Sequence, residues 1–227
     1  MKTAAAVAIV VALFACLVRA GDDVAKPPEG AIVLFSGSDL SAWQHANGKP
    51  AQWKIVDGAL EASPPGDIQT KQAYDDYALH VEFRTPQPKE GQSGQGRGNS
   101  GIKLAGRYEI QILESYGLEP LANGCGSVYR QKAAAKNMAK PPMQWQTYDI
   151  VFRAPRFDAA GKKTENGRVT VTWNGEKVHD DVEIKGPTRA GETAEPAGAA
   201  PVVLQFHEHP VQFRNIWIVP TKDVVTK

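Results

Sequence analysis

The chain has little cysteine, little excess charge of either sign and no visible internal repeat. Its 227 residues contain 2 cysteines, and 26 Lys and Arg nearly balance 25 Asp and Glu. A near-neutral chain offers no electrostatic basis for binding nucleic acid, so we do not expect a nucleic-acid partner. The absence of a repeat argues against a propeller or a β-helix.

The first 20 residues predict a secretory signal peptide. Lys2 is followed by the apolar run Ala4–Val18, and small residues surround the expected cleavage point after Ala20. The run is shorter than the about 20 residues of a membrane span. The alternative is a lipoprotein signal with a lipid anchor at Cys16. Either signal predicts export to the periplasm or the extracellular space.

Cleavage after Ala20 removes Lys2 and Arg19 and leaves 207 residues with 24 basic and 25 acidic side chains. Only Cys125 then remains, so a monomer has no internal disulfide and must depend on its hydrophobic core. Cys125 lies in a Gly-rich turn with no adjacent basic residue to lower the pKa of its thiol. We interpret it as a small structural residue rather than a nucleophile.

Short strands separated by turns dominate the rest of the chain. Tyr77–Arg84 alternates apolar and polar residues, and Asp57-Gly58 is a strong hairpin-turn signal. About ten such strands predict an all-β fold, an antiparallel two-sheet sandwich or jelly roll. One short helical turn is predicted within residues 131–144. We expect a flexible tether over residues 21–30 and a single β domain over residues 31–221.

The segment around Glu109 carries the strongest indication of a site. Apolar Ile110 and Ile112 alternate with Glu109 and Gln111. Because successive side chains of a strand point to opposite faces, Glu109 and Gln111 share one face. That face is either the floor of a polar cleft or simply solvated.

Residues 203–209 predict a second strand of the same kind, with Gln205 and His207 on one face. A histidine can transfer a proton near neutral pH, although a single His is more often a surface residue. His207 and His209 could face a metal together, but no third ligand is apparent. We therefore predict no metal site and no cofactor, with a divalent cation as the alternative.

Arg84 and Arg214 complete the polar set. Arg214 could hold a carboxylate or a sugar hydroxyl, or it could pair with Glu82 or Glu109 across the sheet. Residues 96–101 match G-x-G-x-x-G, but a strand follows where a dinucleotide site needs a helix. There is no G-x-S-x-G elbow, and the acids on one strand do not provide the carboxylate pair of an ordinary glycosidase.

Five motifs, taken in order, resemble the 3-keto-disaccharide hydrolase domain family. They are Leu34–Trp43, Asn99–Ile102, Tyr108–Ser115, Trp145–Ile150 and Phe213–Trp217. The resemblance implies a concanavalin A-like jelly roll, export and action on 3-keto glycosides. Glu114 stands where the family pattern suggests Asp. The loop over residues 186–201 looks longer and more Ala-rich than is typical, which bears on substrate choice.

The chemistry that the resemblance implies is elimination followed by hydration. A ketone at sugar C3 acidifies the hydrogen at C2, a base removes it, and the enolate expels the glycosidic oxygen at C1. Glu109 and His207 are the expected catalytic pair, with the base and acid roles in either order. The expected substrate-binding residues are Arg84, Asn99, Gln111, Gln205 and Arg214.

The rival hypothesis is a non-catalytic, lectin-like carbohydrate-binding module, since one fold serves both classes. Such a module would depend on exposed aromatic residues such as Trp43, Trp53 or Tyr129 that stack on sugar rings. Most tryptophans in a sandwich are core residues, which favours a structural role for each.

Overall fold

The computed structural model describes residues 24–221. The predicted signal peptide, its cleavage point and Cys16 lie outside the described residues. Within residues 24–221, no helix is long and apolar enough to cross a membrane. The predicted β domain, residues 31–221, lies wholly within the described residues.

The described chain consists of fifteen strands and one 3-10 turn, Gly94–Gly96. The strands are β1 (Ile32–Phe35), β2 (Trp43–Gln44), β3 (Lys54–Val56), β4 (Ala59–Glu61), β5 (Ile68–Thr70), β6 (Tyr77–Arg84), β7 (Ser100–Leu104), β8 (Tyr108–Ile112), β9 (Gln146–Arg153), β10 (Arg156–Phe157), β11 (Lys163–Glu165), β12 (Gly167–Trp173), β13 (Glu176–Ile184), β14 (Val203–Leu204) and β15 (Gln212–Pro220).

Two antiparallel sheets form the sandwich. The larger sheet has the strand order β13-β12-β9-β6-β15-β4-β3, with β1 also paired to β15. The smaller sheet has the order β2-β5-β14-β7-β8, and β10 and β11 form a separate two-stranded ribbon. This arrangement confirms the predicted all-β, antiparallel jelly-roll sandwich.

Alternating side chains on the two sheets build the core between them. Tyr108 and Ile110 of β8 face inward with zero exposure, as do Tyr148 and Ile150 of β9. Burying each such side chain contributes about 1.5–3 kcal/mol relative to leaving it in water. The residues between them on each strand consequently point away from the core, and these outward residues hold the polar groups of interest.

The predicted helical turn within residues 131–144 is wrong. The side-chain amide of Asn137 donates to the carbonyl oxygens of Ser115 and Leu118, at 2.6 Å each, and holds the segment in an irregular conformation. The Ala-Lys composition favours a helix, but a segment this short cannot offset the cost of helix nucleation without an apolar face to pack.

Cys125 is a packed residue of the core. Its Sγ atom lies 3.1 Å from the Tyr148 hydroxyl oxygen. Burial raises the pKa of the Cys125 thiol to about 11. A thiol that stays protonated and buried has no nucleophilic function, in agreement with the structural interpretation of this residue.

Candidate functional site

Polar side chains gather on the face of the smaller sheet that points away from the core. The register of β7 and β8 pairs Gly101 with Gln111 and Lys103 with Glu109. Their neighbours along each strand are core residues, so these four residues line the outer face. Glu109 and Gln111 share this face, as the alternation of the strand indicates.

Gly101 leaves room for the carboxyl group of Glu109. A Cβ atom at position 101 would lie 2.3 Å from Glu109 Oε1, so the carboxyl group lies over the backbone of β7. The backbone N–H of Glu109 donates to Thr188 Oγ1 at 3.0 Å, which attaches β8 to the loop over residues 186–201. Glu109 is in consequence only 6% exposed.

Burial raises the pKa of Glu109 to about 7. The positive charge of Lys103 lowers that pKa and the negative charge of Asp67 raises it, both to a smaller extent than burial does. A carboxyl group with this pKa exists in both protonation states near neutral pH. It can therefore accept a proton in one step of a reaction and return it in another.

Asp67 fixes the ammonium group of Lys103 on the same face. Lys103 Nζ lies 2.8 Å from Asp67 Oδ2, while Asp67 Oδ1 accepts a hydrogen bond from the Phe206 N–H at 2.9 Å. The side chain of Lys103 remains 19% exposed, so a ligand can reach it. Lys103 and Asp67 were not identified from the sequence. The alternation Gly101-Ile102-Lys103 would have placed Lys103 on the outer face of its strand.

The amide side chains of Gln111 and Asn99 lie at one end of this face. The Gln111 amide lies 3.0 Å from the side-chain amide of Gln95, and Asn99 Nδ2 donates to the backbone carbonyl oxygen of Gln95 at 3.0 Å. With its nitrogen turned inward, the Gln111 amide donates to Glu109 Oε1 at 3.0 Å and to the Ser100 carbonyl oxygen at 2.8 Å. Gln111 thus lies beside Glu109 on β8, and Asn99 lies next to Gln95 just before β7 begins.

Gln205 joins the site through its backbone. Its N–H donates to the Gly101 carbonyl oxygen at 3.0 Å, and its own carbonyl accepts from Ser100 Oγ at 2.6 Å. Its side-chain Oε1 is buried and has no hydrogen-bond partner among residues 24–221. Buried polar atoms are seldom left without a partner, so this oxygen is a candidate acceptor for a ligand hydroxyl.

His45, which the sequence did not single out, lies against Asp67. Its Nδ1 is 2.9 Å from the Asp67 carbonyl oxygen, which can only accept, so the proton of a neutral ring is on Nδ1. Nε2 then carries the lone pair, and it is buried without a hydrogen-bond partner in the described chain. No group of three or more His, Cys, Asp or Glu side chains in residues 24–221 is arranged to hold a metal ion.

The strand predicted over residues 203–209 is confirmed for Val203–Leu204 only, and its continuation to residue 209 is wrong. β14 ends at Leu204, and His207 is exposed in the turn that follows, where Glu208 has a φ of 60°. His209 rather than His207 contacts the opposite loop, with Nε2 2.9 Å from the Gly96 carbonyl oxygen. Strand alternation therefore does not place His207 on the face that carries Glu109.

Arg84 and Arg214 belong to the larger sheet, on the face away from the core. Arg84 Nε donates to Gln212 Oε1, and Arg214 Nε donates to Glu82 Oε2, both at 2.6 Å. Because the sheets pack core face to core face, these arginines lie on the opposite side of the sandwich from Glu109. The expectation that they share its cleft is wrong, and the alternative ion pair between Arg214 and Glu82 is confirmed.

A buried charge cluster occupies this outer face of the larger sheet. His80 Nδ1 lies 2.6 Å from Asp149 Oδ1, and its Nε2 lies 3.7 Å from Glu82 Oε1. Burial lowers the pKa of His80, but hydrogen bonds and charges from the two acids outweigh burial and raise it to about 9. Asn215 Nδ2 donates to Glu82 Oε1 and to the carbonyl oxygen of Ala25, which brings the N-terminal segment onto this face.

The aromatic residues that a lectin-like site would use are mostly buried. Trp43 is fully buried and donates to the Leu34 carbonyl oxygen, and Trp53 is 3% exposed and donates to the Gly66 carbonyl oxygen. Tyr129 is different, since its N–H donates to the Glu109 carbonyl oxygen at 3.0 Å and the residue is half-buried. One of the three aromatic residues therefore borders the Glu109 face.

Comparison with known structures agrees with this architecture. The crystal structure of a candidate glycosyl hydrolase from Parabacteroides distasonis, at 2.13 Å resolution, is 39% identical, covers 86% of each chain and has a TM-score of 0.80. A second candidate glycosyl hydrolase from the same organism shares the fold at 18% identity, with a TM-score of 0.63 over 84% of this chain and 94% of that one.

The comparison with domain families covers nearly the whole described chain. None of the proteins of curated function is similar enough to count as a match. One family model, described as the 3-keto-alpha-glucoside-1,2-lyase-like domain, matches residues 30–219. This range contains all five motifs that suggested the family, together with Glu109, Lys103 and Gly101. The chain therefore belongs to the family of 3-keto-alpha-glucoside-1,2-lyase-like domains.

Proposed function

We propose that this protein is an enzyme that cleaves the glycosidic bond of 3-keto glycosides, including 3-keto disaccharides, by removing the proton at C2. Family membership and the 39% identity to a candidate glycosyl hydrolase support action on a glycoside. The observation that carries the proposal is the buried carboxyl group of Glu109. Its pKa is about 7, and the ammonium-bearing Lys103 lies directly opposite it in the sheet.

The arrangement suits elimination better than ordinary glycoside hydrolysis. An ordinary glycosidase uses two carboxyl groups on the two sides of the scissile bond. Asp67 also borders this face, but Lys103 and the Phe206 N–H already engage its two oxygens. A carboxyl group that forms no ion pair in the described residues, beside one cation, is instead the set that an enolate mechanism needs.

In the first step, the Glu109 carboxylate removes the proton from C2 of the 3-keto ring. The C–H bond is weakened because its electron pair can move into the C2–C3 bond and place negative charge on the C3 oxygen. A base with a pKa near the working pH is well matched to this transfer. Burial of Glu109 is the main cause of that raised pKa, and the charge of Asp67 raises it further.

Lys103 stabilises the oxygen on which this charge develops. A fixed cation in a partly buried site is worth more than the same charge in water, because the surroundings screen it less. Asp67 holds the ammonium group in place before the substrate binds. Gln205 Oε1, an acceptor without a partner in the described residues, can bind another hydroxyl of the sugar. The Gln111 amide instead holds Glu109 Oε1 in place.

In the second step, the enolate electron pair forms a C1–C2 double bond and the bond from C1 to the glycosidic oxygen breaks. The protonated Glu109 is the group that can return a proton to the leaving oxygen. Water then adds, with its oxygen at C1 and a hydrogen at C2. The sum is hydrolysis to a 3-keto sugar and the free alcohol, with no oxidant or reductant consumed.

The test compares a 3-keto glucoside with the unoxidised glucoside in D₂O, using the wild-type chain, Glu109→Gln and the surface control Glu165→Gln. We expect cleavage of the keto substrate alone, deuterium at C2 of the product beyond the enzyme-free exchange, and about a thousandfold loss in Glu109→Gln only. Cleavage of the unoxidised glucoside, or full activity of Glu109→Gln, would contradict the proposal. Saturable sugar binding without turnover would instead support the lectin-like alternative.

A further inference from the structure

A cavity of about 360 Å³ adjoins the Glu109 face and has no part in the proposed chemistry. Gln69 and Val203 form its floor, on the outer face of the smaller sheet. The turn that contains Arg107, between β7 and β8, and the loop residues 194–201 form its walls. Its volume is at the lower end of the range for small-molecule pockets, about 300–1,000 Å³.

The strand register places the floor of this cavity next to the proposed catalytic groups. Val203 pairs with Lys103 on one side and with Gln69 on the other. Neighbouring strands lie about 4.8 Å apart, so the floor begins one strand from Lys103 and two strands from Glu109. A sugar ring seated over Glu109 and Lys103 would therefore have its neighbouring ring at the cavity.

Arg107 provides the cavity with hydrogen-bond donors. Its Nε donates to the Ala194 carbonyl oxygen and its Nη1 to the Gly106 carbonyl oxygen, both at 3.2 Å. Within residues 24–221 no carboxylate forms an ion pair with it. The nearby Glu195 is already engaged, since its oxygens accept from the Tyr108 hydroxyl and from Lys163 Nζ. A guanidinium group has five N–H donors, so Arg107 keeps donors for a ligand oxygen.

Both ends of the loop that forms the wall are held in place. Near its start, the Thr188 N–H and hydroxyl both donate to the Arg107 carbonyl oxygen, at 3.0 and 3.1 Å. Near its end, Ala200 exchanges two backbone hydrogen bonds of 3.0 Å with Tyr74. The loop over residues 186–201, which forms the wall, is consequently attached to the rest of the fold near both of its ends.

We propose that this cavity is the subsite for the second sugar ring of a disaccharide substrate, the ring that leaves, and that Arg107 determines the preference for it. The inference rests on the proposed function, because it takes the 3-keto ring to bind over Glu109. The Arg107 donors and the Gln69 amide bind ring hydroxyls, and Val203 and Pro201 contact the apolar side of the ring.

The test uses a 3-keto disaccharide and its methyl 3-keto glucoside counterpart with three variants. Arg107→Met removes the donors and Val203→Phe fills the floor. Arg189→Met is the control, because its side chain is 77% exposed and pairs with Glu192 outside the cavity. We expect both cavity variants to lower kcat/KM for the disaccharide about tenfold or more and to leave the methyl glycoside nearly unchanged. Equal effects of Arg107→Met and Arg189→Met would overturn the assignment.

A binding measurement separates failure of the subsite from failure of the reaction. Each variant is combined with Glu109→Gln, and the affinity for both sugars is measured by calorimetry. A disaccharide affinity that falls about tenfold with Arg107→Met supports the subsite even if no turnover is seen. An affinity for the two sugars that is the same in every variant rejects the subsite, whatever the reaction proves to be.

Discussion

The carboxyl group of Glu109 occupies the space that a side chain at position 101 would fill. A Cβ atom there would lie 2.3 Å from Glu109 Oε1, closer than real Cβ contacts allow. The glycine on β7 and the acid on β8 are therefore a matched pair. The position of the proposed base depends on the absence of a side chain on the neighbouring strand.

The first prediction concerns this pair. Gly101→Ala should displace the Glu109 carboxyl group and lower kcat about a hundredfold, since a misplaced catalytic group loses about that much. Gly186→Ala is the control, because a Cβ atom at position 186 meets no atom within 4 Å. Steady-state kinetics, with circular dichroism to verify folding, measures the effect. A folded Gly101→Ala variant with wild-type kcat would show that the position of Glu109 is not critical.

The second prediction concerns the pH dependence of stability. The pKa of Glu109 is raised from 4.5 to about 7 in the folded chain, so folding favours its protonated form. The stability that the protonated Glu109 contributes to the folded state is fully present below pH 4.5 and is lost as the pH rises through 7. Relative to Glu109→Gln, the wild type should lose up to about 3 kcal/mol of unfolding free energy between pH 4.5 and 8. Urea unfolding of both proteins at pH 4.5 and pH 8 measures this loss. An equal change in the unfolding free energy of the two proteins would contradict the raised pKa of Glu109.

The third prediction concerns Lys103. Lys103→Met should lower kcat about a hundredfold or more, because the developing enolate loses its cation. Lys177→Met is the control, since Lys177 pairs with Asp180 at the surface. If Lys103 acted only on the pKa of Glu109, the variant would shift the pH profile of kcat/KM and leave the maximal rate intact. That outcome would remove Lys103 from the chemical step.

The fourth prediction concerns the charge cluster on the larger sheet. Asp149→Asn should destabilise the fold by about 3–5 kcal/mol at pH 7, since it leaves the His80 charge without its closest partner. The pKa of His80 is raised from 6.5 to about 9, so this stabilisation is complete below pH 6.5 and is lost as the pH rises through 9. Thermal unfolding of the wild type and Asp149→Asn should show a smaller difference in stability at pH 10 than at pH 7. Loss of turnover in a stable Asp149→Asn variant would contradict the structural role.

Side-chain alternation made the fold class and the Glu109 face predictable. Each strand reveals from its own sequence which residues share a face, and that was sufficient for Glu109 and Gln111. It does not reveal which sheet the strand joins, because pairing between distant segments decides that. Arg84 and Arg214 are grouped with Glu109 in the sequence analysis, but their strands, β6 and β15, belong to the other sheet.

The remaining errors have local physical causes. His207 was assigned to a strand because Leu204 and Phe206 alternate with polar residues, yet the left-handed Glu208 and the following Pro210 turn the chain away from the sheet. His45 follows a strand of only two residues, so no periodic pattern marked it. Its position near the site is visible only in the structure, where its ring contacts the Asp67 carbonyl oxygen.

The hydrogen bond from Asn215 to the Ala25 carbonyl oxygen has a consequence for how the molecule is oriented. It fixes the N-terminal segment against the larger sheet, on the side opposite Glu109. Anything joined to the chain ahead of Ala25, whether a membrane anchor or a solid support, would attach the molecule on the side opposite Glu109. The face that carries Glu109 would then point away from the attachment and stay open to sugars in the surrounding solution.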